Sequence, residues 1–252
     1  MKKTFLVAAM VTMLTLSAVA AKPKAPASLH LKGNPNAQFK MAPPGIPPAL
    51  CSPCLFYGGD LDPNDFNAAG LSDENTLLIV GGSNTLGEIT TPRSITVSGI
   101  LFNVQASSAF DPQTATYDIR SGVSDGNGGT SIASGSGDIK VATTGRNFLG
   151  FPEFTIEVDV NPPVSLSPGT YWFTMQPQCT NDLDGSCTVG RIFVSNTTAG
   201  TNNVAGHAQT PGMMFLNSDY FGLNYTNWCD PSLGLNSRQC GMLSFGLVGG
   251  GD

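Results

Sequence analysis

The chain has 252 residues, of which only 12% are charged, and its formal net charge is −6. All 18 carboxylates lie after residue 59, while six of the twelve basic residues lie before residue 41, so the body of the chain is strongly acidic. An acidic body repels a phosphate backbone and argues against nucleic-acid binding. Its plainer consequence is solubility, with some attraction for cations.

The first twenty residues have the layout of a secretory signal. Lys2 and Lys3 precede an apolar run from Phe5 to Leu16, and Ala18-Val19-Ala20 is a small-residue cleavage site. The run is too short to span a bilayer, so no stable membrane insertion is expected. No cysteine follows the cleavage region, and the chain closes on Gly246-Leu-Val-Gly-Gly-Gly-Asp252 without a hydrophobic tail. The expected destination is extracellular or periplasmic, after removal of residues 1–20. Residues 21–50 are rich in Pro, Ala and Lys and lack periodicity. They read as a disordered spacer. Residues 51–252 are then one domain of about 200 residues.

Within that domain, Leu55-Phe56-Tyr57 reads as a short first strand, and Asp60–Asn75 as polar and turn-rich. Thr76–Val80 is a short apolar run. Ser94–Gln105 is a long strand whose apolar phase switches at Ser98-Gly99, which predicts a bulge there. Thr114–Arg120 alternates cleanly, with Ala115, Tyr117 and Ile119 inward. Asp125-Gly-Asn-Gly-Gly129 marks a turn. Ser131–Val141 reads as a weaker, Gly-interrupted strand or pair of strands.

The best-written unit spans Glu153–Met175. Phe154, Ile156, Val158 and Val160 alternate with Glu153, Thr155, Glu157 and Asp159, the period of a half-buried strand with an acidic outer face. Pro168-Gly169 turns into a second strand carrying Tyr171, Phe173 and Met175 on one face and Trp172, Thr174 and Gln176 on the other. Thr188–Ser195 and Met242–Val248 read as further strands, and residues 196–241 mostly as loop. Eight to ten strands joined by turns, with no helical period in the body, predict an all-β, two-sheet antiparallel sandwich of jelly-roll-like kind.

Six cysteines behind a signal peptide predict disulfides in an oxidising compartment. Short spacing favours Cys179–Cys187 and Cys229–Cys240. Cys51 and Cys54 form a third close pair; they also have redox-dithiol spacing, but without the following helix that would lower a thiol pKa.

Asp118-Ile-Arg-Ser-Gly-Val-Ser-Asp-Gly-Asn-Gly-Gly-Thr130, Leu166-Ser-Pro-Gly-Thr-Tyr-Trp172 and Leu243-Ser-Phe-Gly-Leu-Val-Gly249 together resemble a group of uncharacterised exported bacterial β-sandwich proteins. Many of those carry a C-terminal PEP-CTERM sorting tail. The resemblance covers roughly residues 55–249 and implies export and a sandwich fold, with no activity to carry over. This chain lacks the Pro-Glu-Pro signal, terminal hydrophobic helix and basic end of the tailed members, so free export is expected.

Candidate chemistry is sparse. Asp60, Asp62, Asn64 and Asp65 place oxygen ligands as a calcium loop does, although Asp65 stands where the usual loop has Gly and Leu71 where it has Glu. The plainer reading is a solvated Asx-turn loop. Structural calcium is the only cofactor the sequence suggests. Glu153, Glu157 and Asp159 share a strand face at spacings of about 7 to 13 Å, which permits glycoside hydrolysis without singling it out. His207 is the only histidine in the body, so a zinc site or a Ser-His-Asp triad has little to build on. Trp172, Trp228, Tyr220 and Tyr225 are candidate platforms for sugar rings, set against the commoner fate of a core aromatic. The sequence thus favours a non-enzymatic exported module, of matrix or envelope or contacting an extracellular glycan. The alternative is a secreted polysaccharide hydrolase using the sheet-face carboxylates.

Overall fold

A computed structural model describes residues 48–61, 69–72, 83–106, 111–148, 150–178, 192–197, 209–210, 212–219, 221–230 and 242–251. The expected signal peptide, nearly all of the spacer and the Thr76–Val80 run lie outside the described residues.

All regular structure among the described residues is β, as the sequence predicts, and every strand pairing is antiparallel. The strands are β1 (Cys54–Tyr57), β2 (Ala69–Ser72), β3 (Asn84–Thr91), β4 (Ile95–Gln105), β5 (Thr114–Ser121), β6 (Thr130–Phe148), β7 (Phe151–Leu166), β8 (Gly169–Gln178), β9 (Phe193–Thr197), β10 (Phe215–Ser218), β11 (Leu223–Asn227), β12 (Met242–Leu243) and β13 (Phe245–Gly251). Hydrogen bonding runs without a break in the order β1-β13-β4-β7-β6-β5-β8-β3-β10-β11, and β9 joins β4, β2 and β12 beside it.

The hinge of this arrangement is β6. Its first half, Thr130–Asp138, pairs with β5, and its second half, Ile139–Phe148, pairs with β7. The Gly-interrupted run that reads as a weak strand is therefore one strand of 19 residues that carries the sheet from one half to the other. Glycine is required where it crosses: a Cβ on Gly137 would stand 2.7 Å from the Asp159 carbonyl oxygen, and one on Gly135 would stand 2.7 Å from the Tyr117 hydroxyl.

The two halves share one core. Phe102, Ile156, Val158 and Phe245 from the β13-β4-β7 half lie in the same apolar cluster as Ile89, Ile119, Phe173 and Met175 from the β5-β8-β3 half. Phe245 packs at 5.4 Å from Phe102 and 6.2 Å from Phe173, ring centre to ring centre, so it touches both halves. The inward phases of β5 and β8 follow the alternation in the sequence. The predicted defect in β4 is present: register slips between Val97 and Gly99 against β7, where a Cβ on Gly99 would meet Glu157 Oε1 at 2.8 Å.

Three features differ from the expectation. β7 continues beyond the alternating Glu153–Val160 run through Asn161-Pro-Pro163, because Val164–Leu166 pair with Ile95–Val97 beyond the β4 bulge. Segments 69–72, 84–91, 215–218 and 223–227, none of which reads as a strand in the sequence, form strands. The third concerns the acidic face of β7, which is buried at Glu153, Thr155 and Glu157.

Candidate functional site

On β7 the expected solvent face is a sealed polar layer. Glu153 is only 1% exposed, and Thr155 and Glu157 are also buried. Across from them on β4 stand Gln105, Asn103 and Leu101, in register and equally buried. The segment after β1 returns over this face. The Gly59 carbonyl accepts from Ser244 Oγ at 2.5 Å, and Asp60 Oδ1 accepts from Tyr57 Oη at 2.5 Å.

Arg146, near the end of β6, clasps the layer. Its Nη1 lies 3.0 Å from Asp60 Oδ1 and its Nε pairs with Glu153 Oε2. Glu153 also accepts from Ser195 Oγ at 2.6 Å and Thr144 Oγ1 at 2.8 Å. Burial pushes the Glu153 carboxyl up, against the opposing effect of Arg146, Ser195 and Thr144. Burial likewise opposes the charge of Arg146, but Glu153 and Asp60 outweigh it and hold the guanidinium charged. Burial also pushes the Tyr57 hydroxyl up, with Asp60 adding to the effect. This is the chemistry of a structural clasp, since its charges are paired and withheld from solvent.

The paired-carboxylate reading loses its geometry here. Glu153 is bound to Arg146, while Glu157 and Asp159 share Lys140, at 3.2 and 2.7 Å. Of the three, Asp159 alone is well exposed. The calcium loop is met only at Asp60, whose Oδ1 faces a guanidinium; Asp62, Asn64 and Asp65 lie outside the described residues. Among the described residues no cluster of His, Cys, Asp and Glu has metal-binding geometry. Cys51 and Cys54 are joined as a disulfide at the start of β1. Cys229 is also oxidised. Cys179, Cys187 and Cys240 lie outside the described residues, so the two expected pairings do as well.

The other half of the sheet carries an open pocket of about 180 Å³ on its outer face. Its floor is a set of cross-strand pairs. Thr116 pairs with Gln176 and Asp118 with Thr174 between β5 and β8, and Asn84 pairs with Asn217 between β3 and β10. Beside this polar floor lies an apolar one. Leu86, which lines the pocket, packs with Trp172, Val123 and Phe215 in a small cluster against which Tyr225 leans.

Tyr225 stands at the boundary. It is the only non-glycine residue with a positive φ, 44°, among the described residues. The Arg120 guanidinium lies 5.4 Å from its ring centre, and a Cβ on Gly128 would strike the ring at 2.3 Å. The turn at residues 124–127 docks on the same strand: Gly126 N donates to the Tyr225 carbonyl at 3.1 Å, and Asn227 N to Asp125 Oδ1 at 2.9 Å.

Of the predicted aromatic platforms among the described residues, the structure brings only Tyr225 to this pocket. Trp172 is 5% exposed beneath it, and Trp228 is fully buried in the main core, so neither ring offers a face to a ligand. Both serve as core aromatics, the alternative weighed from the sequence. Tyr220 lies outside the described residues. Asn84, Thr116, Thr174, Gln176 and Asn217 do not stand out in the sequence. Thr174 and Gln176 sit in the polar phase of β8, opposite Phe173 and Met175, but that phase reads equally as a plain solvent face.

Thr174 is the most informative of them. It is 6% exposed, it lines the pocket, and its hydroxyl has no hydrogen-bond partner among the described residues. Leaving a buried hydroxyl unpaired costs roughly 1–3 kcal/mol. No protein-family model matches this chain, and neither a curated protein nor a solved structure matches it.

Proposed function

We propose that the protein is an exported, non-enzymatic β-module that binds carbohydrate in the pocket on the outer face of β5, β8, β3 and β10. The observation that carries this reading is the buried, unpartnered Thr174 hydroxyl in a pocket floored by amides and hydroxyls and bordered by Leu86 and Tyr225. A sugar ring is amphipathic in the same way: hydroxyls around its edge, C–H groups on its faces. The signal-like first twenty residues support a place outside the cytoplasm for such a module, as a matrix or envelope component or freely secreted. Pairing of Glu153 with Arg146 and of Glu157 with Lys140 weighs against the hydrolase alternative.

The test is affinity electrophoresis of the secreted protein through gels containing soluble glucans, mannans, xylans and chitin oligomers. Retardation by at least one polymer, reduced at least about tenfold in affinity by Thr174→Val or Asn217→Ala, supports the reading. The valine variant keeps the shape of threonine and removes only the hydroxyl. No retardation by any polymer, or retardation that both variants leave unchanged, refutes it. Release of reducing sugar abolished by Glu157→Gln would revive the hydrolase.

A further inference from the structure

Resting on the carbohydrate reading, we infer that the pocket selects neutral sugar rings and rejects uronates and other anionic ones. Among the described residues two charged side chains line it, Asp118 and Arg120, and each is spent within the protein. The Arg120 Nη1 pairs with Asp118 Oδ2, and its Nε donates to the Gly128 carbonyl at 2.6 Å. The second Asp118 oxygen accepts from Ser131 Oγ at 2.6 Å. Arg120 also lies over the Tyr225 ring, which holds its guanidinium along the wall.

The described lining of the pocket therefore carries no net charge. A carboxylate entering it meets a cation already engaged by a carboxylate, and it approaches Asp118 as a like charge. A ligand cation meets the reverse, an anion already neutralised. Because breaking a charge pair leaves the other partner uncompensated, neither charge is available to a ligand at low cost.

The polar groups left for recognition are neutral. The bonds that occupy Asp118 and Arg120 have no counterpart at the Asn84–Asn217 cross-strand pair among the described residues, and Thr174 Oγ1 is unpaired. Each amide offers a donor and an acceptor, and the hydroxyl offers both, which matches hydroxyl groups on a ring edge. A site built to donate and accept at once distinguishes a hydroxyl from a carboxylate, which only accepts.

The experiment measures affinity of the full chain for dextran and for polygalacturonate at about 0.02 M and about 0.5 M salt, where screening differs strongly. Dextran serves as the neutral probe, joined by whichever neutral polymer retards the protein most. The expected result is neutral binding that changes less than about twofold with salt, and no binding of polygalacturonate. Asp118→Asn is then expected to free Arg120 and to raise affinity for polygalacturonate by about tenfold or more, in a salt-sensitive way.

Salt-sensitive binding of polygalacturonate by the unaltered protein, lost in Thr174→Val, would overturn the selectivity while leaving the carbohydrate reading intact. Failure of every polymer to bind would remove both. If the Asp118→Asn variant stays folded by circular dichroism and gains nothing for polygalacturonate, Arg120 is not the guarded charge and the inference fails.

Discussion

At the scale of the residue, the side chain that decides most is Arg146. It lies between two buried carboxylates, and each depends on it. Arg146→Met leaves Asp60 and Glu153 buried without a counter-ion, which costs roughly 3–5 kcal/mol. For a domain of this size that is a fall in Tm of roughly 10 °C, readable by circular dichroism. A fall under about 2 °C would show that the clasp is not structural. Nothing in the sequence marks Arg146, since it follows a glycine beyond the weak strand read over Ser131–Val141. Its partner Glu153 reads as a solvent-facing acid because alternation reports only that a strand has two faces. It does not report whether the second face is covered.

Glu88 on β3 makes a different prediction. Burial pushes its carboxyl up, against the bonds from Thr210 N at 2.6 Å and Thr90 Oγ1 at 2.9 Å. A carboxyl with a raised folded-state pKa binds its proton more tightly when folded. Its contribution to stability is therefore greatest when it is protonated and declines as pH rises from the unfolded value, about 4.3, through the folded one. Glu88→Gln removes that decline. The Tm of the glutamine variant relative to the parent is expected to rise between about pH 4 and about pH 7; a flat or falling difference would contradict the buried placement.

At the scale of the element, β6 explains why one strand reads poorly and matters most. Ser134-Gly-Ser-Gly137 has weak β-propensity and little to bury, so the sequence presents it as an interrupted strand. The structure needs those glycines because the strand changes partners at Asp138–Ile139 while Tyr117 and Asp159 press against it. Gly137→Val puts side-chain atoms where the Asp159 carbonyl stands. It is expected to lower Tm by more than the same change at Gly126, beside which a Cβ would meet nothing, although Gly126 has φ +72. Equal losses would mean that the crossing has slack. The same physics explains which strands the sequence conceals. β3 and β10 are legible only as partners of β8 and of each other, since Asn84-Thr-Leu-Gly-Glu carries no alternation of its own. By contrast β5, the first half of β7 and β8 bury one apolar face with period two, and they are readable directly. The bulge in β4 is readable because a phase shift in apolar residues has few other causes.

At the scale of the whole molecule, the two sheet faces do different things. The outer face of the β13-β4-β7 half is closed over a charged layer, whereas that of the β5-β8-β3-β10 half opens into the polar pocket. The pocket is assembled from strands far apart in sequence, Asn84 beside Asn217 and Thr116 beside Gln176, which is why no local motif announces it. The aromatic that reaches it, Tyr225, is visible in the sequence as a candidate; the amides and Thr174 are not.

A sugar ring held in this pocket would perturb the backbone of the strands that line it. Titrating the isotope-labelled protein with the neutral oligosaccharide of the best-retarding polymer, and following backbone amide resonances, tests it directly. Saturable shifts are expected to concentrate at Thr116, Thr174, Gln176, Asn84, Asn217 and Tyr225, and to be lost in Thr174→Val. Shifts confined to the other half of the sheet, or none at any oligosaccharide concentration, would contradict it.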